Sequence, residues 1–198
     1  MALNIALHLW LPKEAPIRVP WLLPSLEAVL LVVLITSDPA GREERRRLRN
    51  VALWLVALLV AAALWATVIL VDDLIKGTGV ANSPRELLAT SAVVLLGNNL
   101  AFALLYWLHD GGGPAARARN PAAIDFAFTQ HMSPELAPAG WRPLFLDYLH
   151  LGFTNSTAFS PTDVMPLTHR AKYAMLVQAI LALALFGLVV ARAVNAFT

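Results

Sequence analysis

The sequence predicts an all-α membrane protein with four transmembrane helices, and with a re-entrant half-helix and a polar strand between the third and the fourth. Three observations carry that prediction. Of the 198 residues, 58% are hydrophobic and only 14% charged, and mean hydropathy is +0.63, whereas soluble domains hold about 45–50% apolar and about 25% charged residues. The apolar residues gather into runs close to the roughly 20 residues that a bilayer span needs. The 15 basic residues fall mainly in the connections between those runs and form no single basic face. With a net charge of only +2, nucleic acid is therefore not an expected partner. Cysteine is absent, which excludes disulfides, thiolate metal sites and cysteine nucleophiles.

Residues 1–11 (MALNIALHLWL) are apolar but too short to span. They lack the basic start and small-residue cleavage site of a signal peptide, so an interfacial segment is expected. Spans are expected at 21–36, 51–71, 87–108 and 174–194, with Trp21, Tyr106 and Trp107 at span ends, where amphipathic rings favour the headgroup level. The first connection, DPAGREERRRLRN, carries five arginines. Such density marks a cytoplasmic loop, since short connections rich in Arg and Lys stay inside. Four spans put ten of the fifteen bases, including this loop and the long third connection, on one face, so that face is expected in the cytoplasm and both termini outside.

The long third connection opens with GGGP and is punctuated by Pro121, Pro134, Pro138 and Pro143. Within it, residues 141–153 (WRPLFLDYLHLGF) have the composition and length of a half-span, with Pro143 suited to a first helical turn. A hydroxyl-rich run, TNSTAFSPTDVMP, follows, and the last span then begins near Thr168, an expected N-cap. Irregular backbone at membrane depth is tolerated only where protein buries it or where it lines a watery cavity. The chain accordingly divides into 1–110 (interfacial segment and three spans), 111–139 (a Pro/Gly-rich extramembrane segment) and 140–198 (half-helix, polar strand and last helix).

The stretch DYLHLGFTNSTAFSPTDVMP resembles the pore helix and filter of tetrameric potassium and related pore-loop cation channels. Asp163 and Pro166 fall on the acid and proline that follow the family's GYG, and Thr157 falls on a filter threonine. The resemblance covers about 20 residues by this alignment and extends more weakly to a mid-helix glycine, Gly187, in the position of an inner-helix hinge. A wider stretch, around YWLHDGGGP, GWRPLFLDYL, FTNSTAFSPTD and ARAVN, is similar to an uncharacterised family of bacterial integral membrane proteins. These resemblances imply a multi-pass protein of the bacterial cytoplasmic membrane. They further imply a homotetramer whose filter segment, Thr157, Ala158, Phe159, Ser160, Pro161, Thr162 and Asp163, meets monovalent or divalent cations, with no cofactor, no resident metal and no enzymatic activity. The alternative is a non-conducting scaffold or partner subunit that keeps the channel-like fold.

One departure from the channel pattern limits selectivity. Potassium filters need glycines because their strand alternates in handedness. Ser160, Pro161 and Thr162 stand where GYG would be. Pro161 fixes its own φ and restricts Ser160, so weak discrimination among cations is expected. The channel-like placement also implies an orientation opposite to the one that the distribution of bases implies.

Other polar residues have structural readings beside functional ones. Asp163 either forms an acidic ring or bonds local amides, and the hydroxyls of 154–162 either line a pore or bond their own backbone. Asn98 and Asn99, mid-span, are expected to join helices. Glu27 is expected to snorkel or pair near the interface. Gln178 either faces a cavity or bonds the re-entrant segment. Gly187 and Ala191, one turn apart, allow close packing as readily as a hinge. The five histidines show no i,i+4 pairing suited to a metal. Ser160, Asp163 and His169 share the letters of a hydrolase triad, but no nucleophile elbow surrounds the serine.

Overall fold

The structure is a computed structural model that describes residues 42–77, 84–120, 123–157 and 163–197. The expected interfacial segment, the first span, Glu27, and the filter residues Ala158, Phe159, Ser160, Pro161 and Thr162 lie outside the described residues. The chain divides into two compact units, residues 1–98 with 184–198, and residues 99–183.

In the first unit, α1 (Arg42–Lys76) is a single helix. The arginine-rich stretch expected to be a connecting loop is instead helical from Arg42 onward. Long side chains such as Arg and Glu are good helix formers, so a sequence such as REERRRLRN extends a helix as easily as it marks a boundary. Gly77, at φ 67°, ends the helix, because the left-handed residue of a C-terminal cap costs glycine nothing. The stripe Ala52, Val56, Leu59, Ala63, Ala66, Leu70 and Leu74 is buried. Its spacing of three and four marks one helical face. Leu70 and Leu74 pack with Leu87 and Val94 of α2 (Pro84–His109) and with Leu185 of α6 (His169–Phe197).

The opposite face of α1 is apolar as well: Trp54 is 77% exposed, Trp65 67% and Ile75 70%. A helix that is hydrophobic all round belongs in a medium that is itself apolar. Three described helices are long and apolar enough to cross a bilayer, with α1, α2 and α6 supplying them. Helices of that length and composition suit a multi-pass membrane protein. The expected interhelical role of Asn98 holds, since its Nδ2 donates to Thr67 Oγ1 at 2.8 Å, and Thr67 donates in turn to the Ala63 carbonyl at 2.9 Å.

The second unit starts in the latter half of α2. Gly111, Gly112 and Gly113 follow it at φ 55°, 80° and 96°, a run of left-handed residues that only glycines adopt without strain. The short helix α3 (Pro114–Arg119) then begins with its proline at the first position, where no amide partner is lost. Strand β1 (Phe126–Phe128), one helical turn α4 (Thr129–Met132), helix α5 (Phe145–Thr157) and strand β2 (Val164–Pro166) complete the unit before α6. The two strands pair antiparallel, Phe126 with Pro166 and Phe128 with Val164.

Helix α5 lies where a half-helix is expected, shifted by four residues from 141–153 to 145–157. Pro143 does not open it. Its start is fixed by Asp147, whose Oδ2 accepts the Leu144 amide at 2.6 Å, the reach-back arm of a capping box. Thr168 is the expected N-cap of α6, accepting the Ala171 amide at 3.3 Å. Tyr106, expected at the headgroup level, is 1% exposed and sits inside the second unit.

Glycines at two positions make opposite predictions. A Cβ on Gly111 would collide with the Ala123 carbonyl oxygen at a positive φ, so Gly111→Ala should cost about 2–4 kcal/mol from strain and overpacking together. A Cβ on Gly187 meets nothing within 4 Å, so Gly187→Ala should stabilise by about 0.5–1 kcal/mol, through lower unfolded-state entropy. Denaturant titration of the two variants in one detergent measures both.

Candidate functional site

The second unit is organised around one carboxylate. Asp110 is fully buried just beyond the last turn of α2. Its Oδ1 accepts the backbone amides of Asp125 at 2.6 Å and Phe126 at 3.2 Å, and its Oδ2 accepts the Tyr148 hydroxyl at 2.5 Å. Arg117 Nη1 lies 3.8 Å from Oδ2 and donates to the carbonyls of Trp107 at 2.8 Å and Asp110 at 2.5 Å. A carboxylate at a helix C-terminus meets the negative end of the macrodipole. The guanidinium offsets that cost by supplying charge and by occupying carbonyls left without helical partners.

Asp125 extends the network. Its Oδ2 accepts the Gly111 amide at 2.9 Å, its Oδ1 accepts the Thr168 hydroxyl at 2.7 Å, and its carbonyl accepts the Leu167 amide at 2.8 Å. The end of α2, the strand β1, the start of α5 and the start of α6 thus meet at two aspartates.

Aromatic rings fill the space beside them. Phe126 and Phe128 lie edge-on to Tyr148, with centroids 6.4 Å and 5.2 Å away, and Arg117 sits 5.2 Å above the Tyr148 ring. Burial, reinforced by the negative charge of Asp110, pushes the Tyr148 phenol far above its ordinary range, so it remains a protonated donor. His131 packs edge-on against Trp141 at 5.2 Å and accepts the Phe128 amide on Nδ1 at 3.2 Å. Burial lowers its pKa below the ordinary 6.5, and the charge of Asp110 opposes that shift only in part.

A second polar layer lies farther along the same helices. Gln178 of α6 is 1% exposed and accepts on Oε1 from Tyr106 Oη at 2.6 Å and Asn155 Nδ2 at 2.9 Å, while its Nε2 donates to the Gly152 carbonyl at 3.0 Å. Gln178 therefore bonds helix α5. Gly152 permits that approach, because a Cβ there would press on Asn99 Oδ1 and Gln178 Nε2.

These contacts trace the path of the chain. Tyr148 lies at the level of Asp110, and Gly152 lies at Asn99, eleven residues and about 16 Å back along α2. Helix α5 has 13 residues, about 20 Å, against a hydrocarbon core of about 30 Å. Asp163 lies alongside α5, with its carboxylate 3.6 Å from His150 Nδ1, and Thr168 lies at Asp125.

Of the expected site residues, Thr157 is exposed and its hydroxyl donates to the Phe153 carbonyl at 2.8 Å, while Asp163 is half-exposed beside His150. Thr154 and Ser156 also donate to carbonyls of their own helix. Gly187 is exposed on α6. Among the described residues no cluster of three His, Asp or Glu is placed to hold a metal. The Asp110, Asp125, Arg117 and Tyr148 hub was not singled out from sequence, although an acid closing an apolar span before three glycines was its visible signal.

No protein-family model, curated protein or solved structure matches the chain. The geometry of the second unit carries the functional argument.

Removing the hub's acceptor strands three donors, two of them in buried bonds, and leaves Arg117 without its carboxylate, so Asp110→Ala should cost about 3–5 kcal/mol, the range for breaking a buried charge network. Tyr148→Phe, which leaves Asp110 its two amides, should cost about 1–3 kcal/mol. Chemical unfolding in detergent ranks them, and equal costs would show that the hub is not centred on Asp110.

Proposed function

We infer that the chain is the subunit of an oligomeric pore-loop cation channel of the bacterial cytoplasmic membrane, weakly selective among cations. The observation that carries this reading is the placement of α5, Asp163 and Thr168: a helix too short to cross, Asp163 beside that helix, and a full-length helix that starts at the aspartate network where α5 also starts. That order is what a pore helix, filter and inner helix require. One half-helix and one inner helix cannot close a pore, so the reading needs several copies about an axis, four by the resemblance noted above. The carbonyl end of α5 and the carboxylate of Asp163 both favour cations.

A second reading, a non-conducting scaffold or partner subunit, has its own support. Thr157 spends its hydroxyl on Phe153, and Asp163 is beside a histidine, so these two candidate groups already have partners within one chain.

Recordings from purified protein in planar bilayers separate the two. Channel function predicts cation current with reversal potentials that barely distinguish potassium from sodium. Asp163→Asn should lower that current most at low salt, where the screening length reaches about 30 Å. Anion current, strong potassium selectivity, or a monomer by mass photometry in mild detergent would sink the proposal.

Orientation follows from the distribution of bases. A reporter active only in the cytoplasm and fused after Thr198 should stay silent, and signal there would place the pore loop on the outer face.

A further inference from the structure

We propose that the outer face of α5 is where a second copy of this chain docks, covering Leu146 and Phe153 and leaving His150 and Asp163 at the border of the contact, toward water that the assembly encloses. Gly152 of α5 lies against the side chain and the carbonyl of Asn99, and Tyr148 reaches Asp110. Asn99 is the sixteenth of the 26 residues of α2, about 4 Å from the middle of that helix. His150 is two residues from Gly152, about 3 Å along α5. With α2 crossing the bilayer, both residues stand inside the hydrocarbon, whose edge is roughly 15 Å from the centre.

At that depth α5 shows two unlike faces. Tyr148, Leu151, Gly152, Asn155 and Ser156 are buried. Leu146 and Phe153, seven residues apart and nearly in line, are exposed on the opposite face. His150 lies to one side of that line, its side chain 59% exposed, with Nδ1 3.6 Å from an Asp163 carboxylate that is 40% exposed. Lipid alone does not suit this face, because ionisable side chains within the hydrocarbon face protein or water. Water alone does not suit it either, since two large apolar side chains would stay wet. The border between a protein contact and an aqueous cavity suits both.

The chain itself carries the complement at the same depth. Gln178 of α6 is level with Gly152, whose carbonyl it bonds, and Leu176, Val177 and Ile180 around it are exposed and apolar. A neighbouring copy about an axis along the membrane normal holds its own α6 at the same depth. That strip therefore meets Leu146 and Phe153 without either subunit shifting along the normal. The contact rests on the oligomeric pore-loop reading above, and not on any selectivity among ions.

Cysteine is absent from the chain, so Leu146→Cys and Phe153→Cys each offer a single site for a benzophenone maleimide. The labelled full-length protein is reconstituted in phospholipid vesicles and irradiated. Both labels should yield a covalent dimer of the chain, several-fold above the yield from Trp54→Cys on the outer face of α1. Dissociation of the assembly by either label, with the labelled Trp54→Cys protein still assembled, would place the contact there as well. Labels that add only to phospholipid, only to their own chain or to nothing, in protein that is oligomeric by mass photometry, would overturn this docking face and leave the oligomeric reading standing. An equal dimer yield from Trp54→Cys would do the same. Wild-type protein that is monomeric by mass photometry would overturn both.

Discussion

A buried carboxylate in an apolar protein has to be over-supplied with donors or it will not stay buried and charged. Asp110 meets that condition with two amides and a phenol, and with a guanidinium charge 3.8 Å away. The amides come from neighbouring residues at the start of β1, the phenol from α5 and the charge from α3, so satisfying one side chain fixes the relative positions of the α2 terminus, β1, α3 and α5. The three glycines after Asp110 belong to the same requirement. They turn the backbone sharply enough for Arg117 to come back over the end of α2, and Gly111 is hemmed in by the Ala123 carbonyl and the Arg117 side chain. Arg117 then serves twice, neutralising the carboxylate and capping carbonyls that the helix leaves open.

The amide layer around Gln178 works by a different principle. Apolar packing alone discriminates poorly between one rotation of a membrane helix and another, because lipid is as apolar as leucine. Gln178 uses both ends of its amide on three partners. Sliding α5 by one residue would break the bond to the Gly152 carbonyl and bring a bulkier residue against Asn99. The polar layer thereby specifies register, and the buried stripe Ala171, Met175, Gln178, Ala182 and Leu185, spaced by four and three, supplies the contact area.

Much of this was legible in the sequence, and the exceptions share a cause. The spans at 51–71, 87–108 and 174–194 are long apolar runs, a signal that needs no tertiary information, and the Thr168 cap is a local chemical preference. That a helix lies near 145–157 was legible but not its boundary, since its start depends on Asp147 reaching back to one amide, while Pro143 offered a competing local signal. Strands β1 and β2 were not legible, because three residues each carry no usable period and each strand pairs with a partner far along the chain. Tyr106 was misplaced for the same reason. Aromatic rings at span ends favour the headgroup region, and only the tertiary fold supplies Gln178 as an alternative partner for its hydroxyl. The Asp110 hub joins residues spread from 107 to 168, so the sequence displays its pieces without their convergence.

The surface of α6 constrains how a pore-loop assembly would have to work. From Leu176 to Val190 the residues outside its buried stripe are all apolar, and Leu176, Val177, Ile180, Leu183 and Val190 are exposed. Gln178, the one polar side chain in that stretch, is turned inward and fully engaged. An inner helix of this kind offers ions no polar groups, so a passage lined by it would be a hydrophobic constriction that opens and closes by wetting. Every group able to replace an ion's hydration would have to come from the return between Thr157 and Asp163. The chemistry of conduction, on this reading, rests on the residues between the end of α5 and the start of β2. The start of α5 and the strand pair are in turn tied together by the Asp110 and Asp125 network.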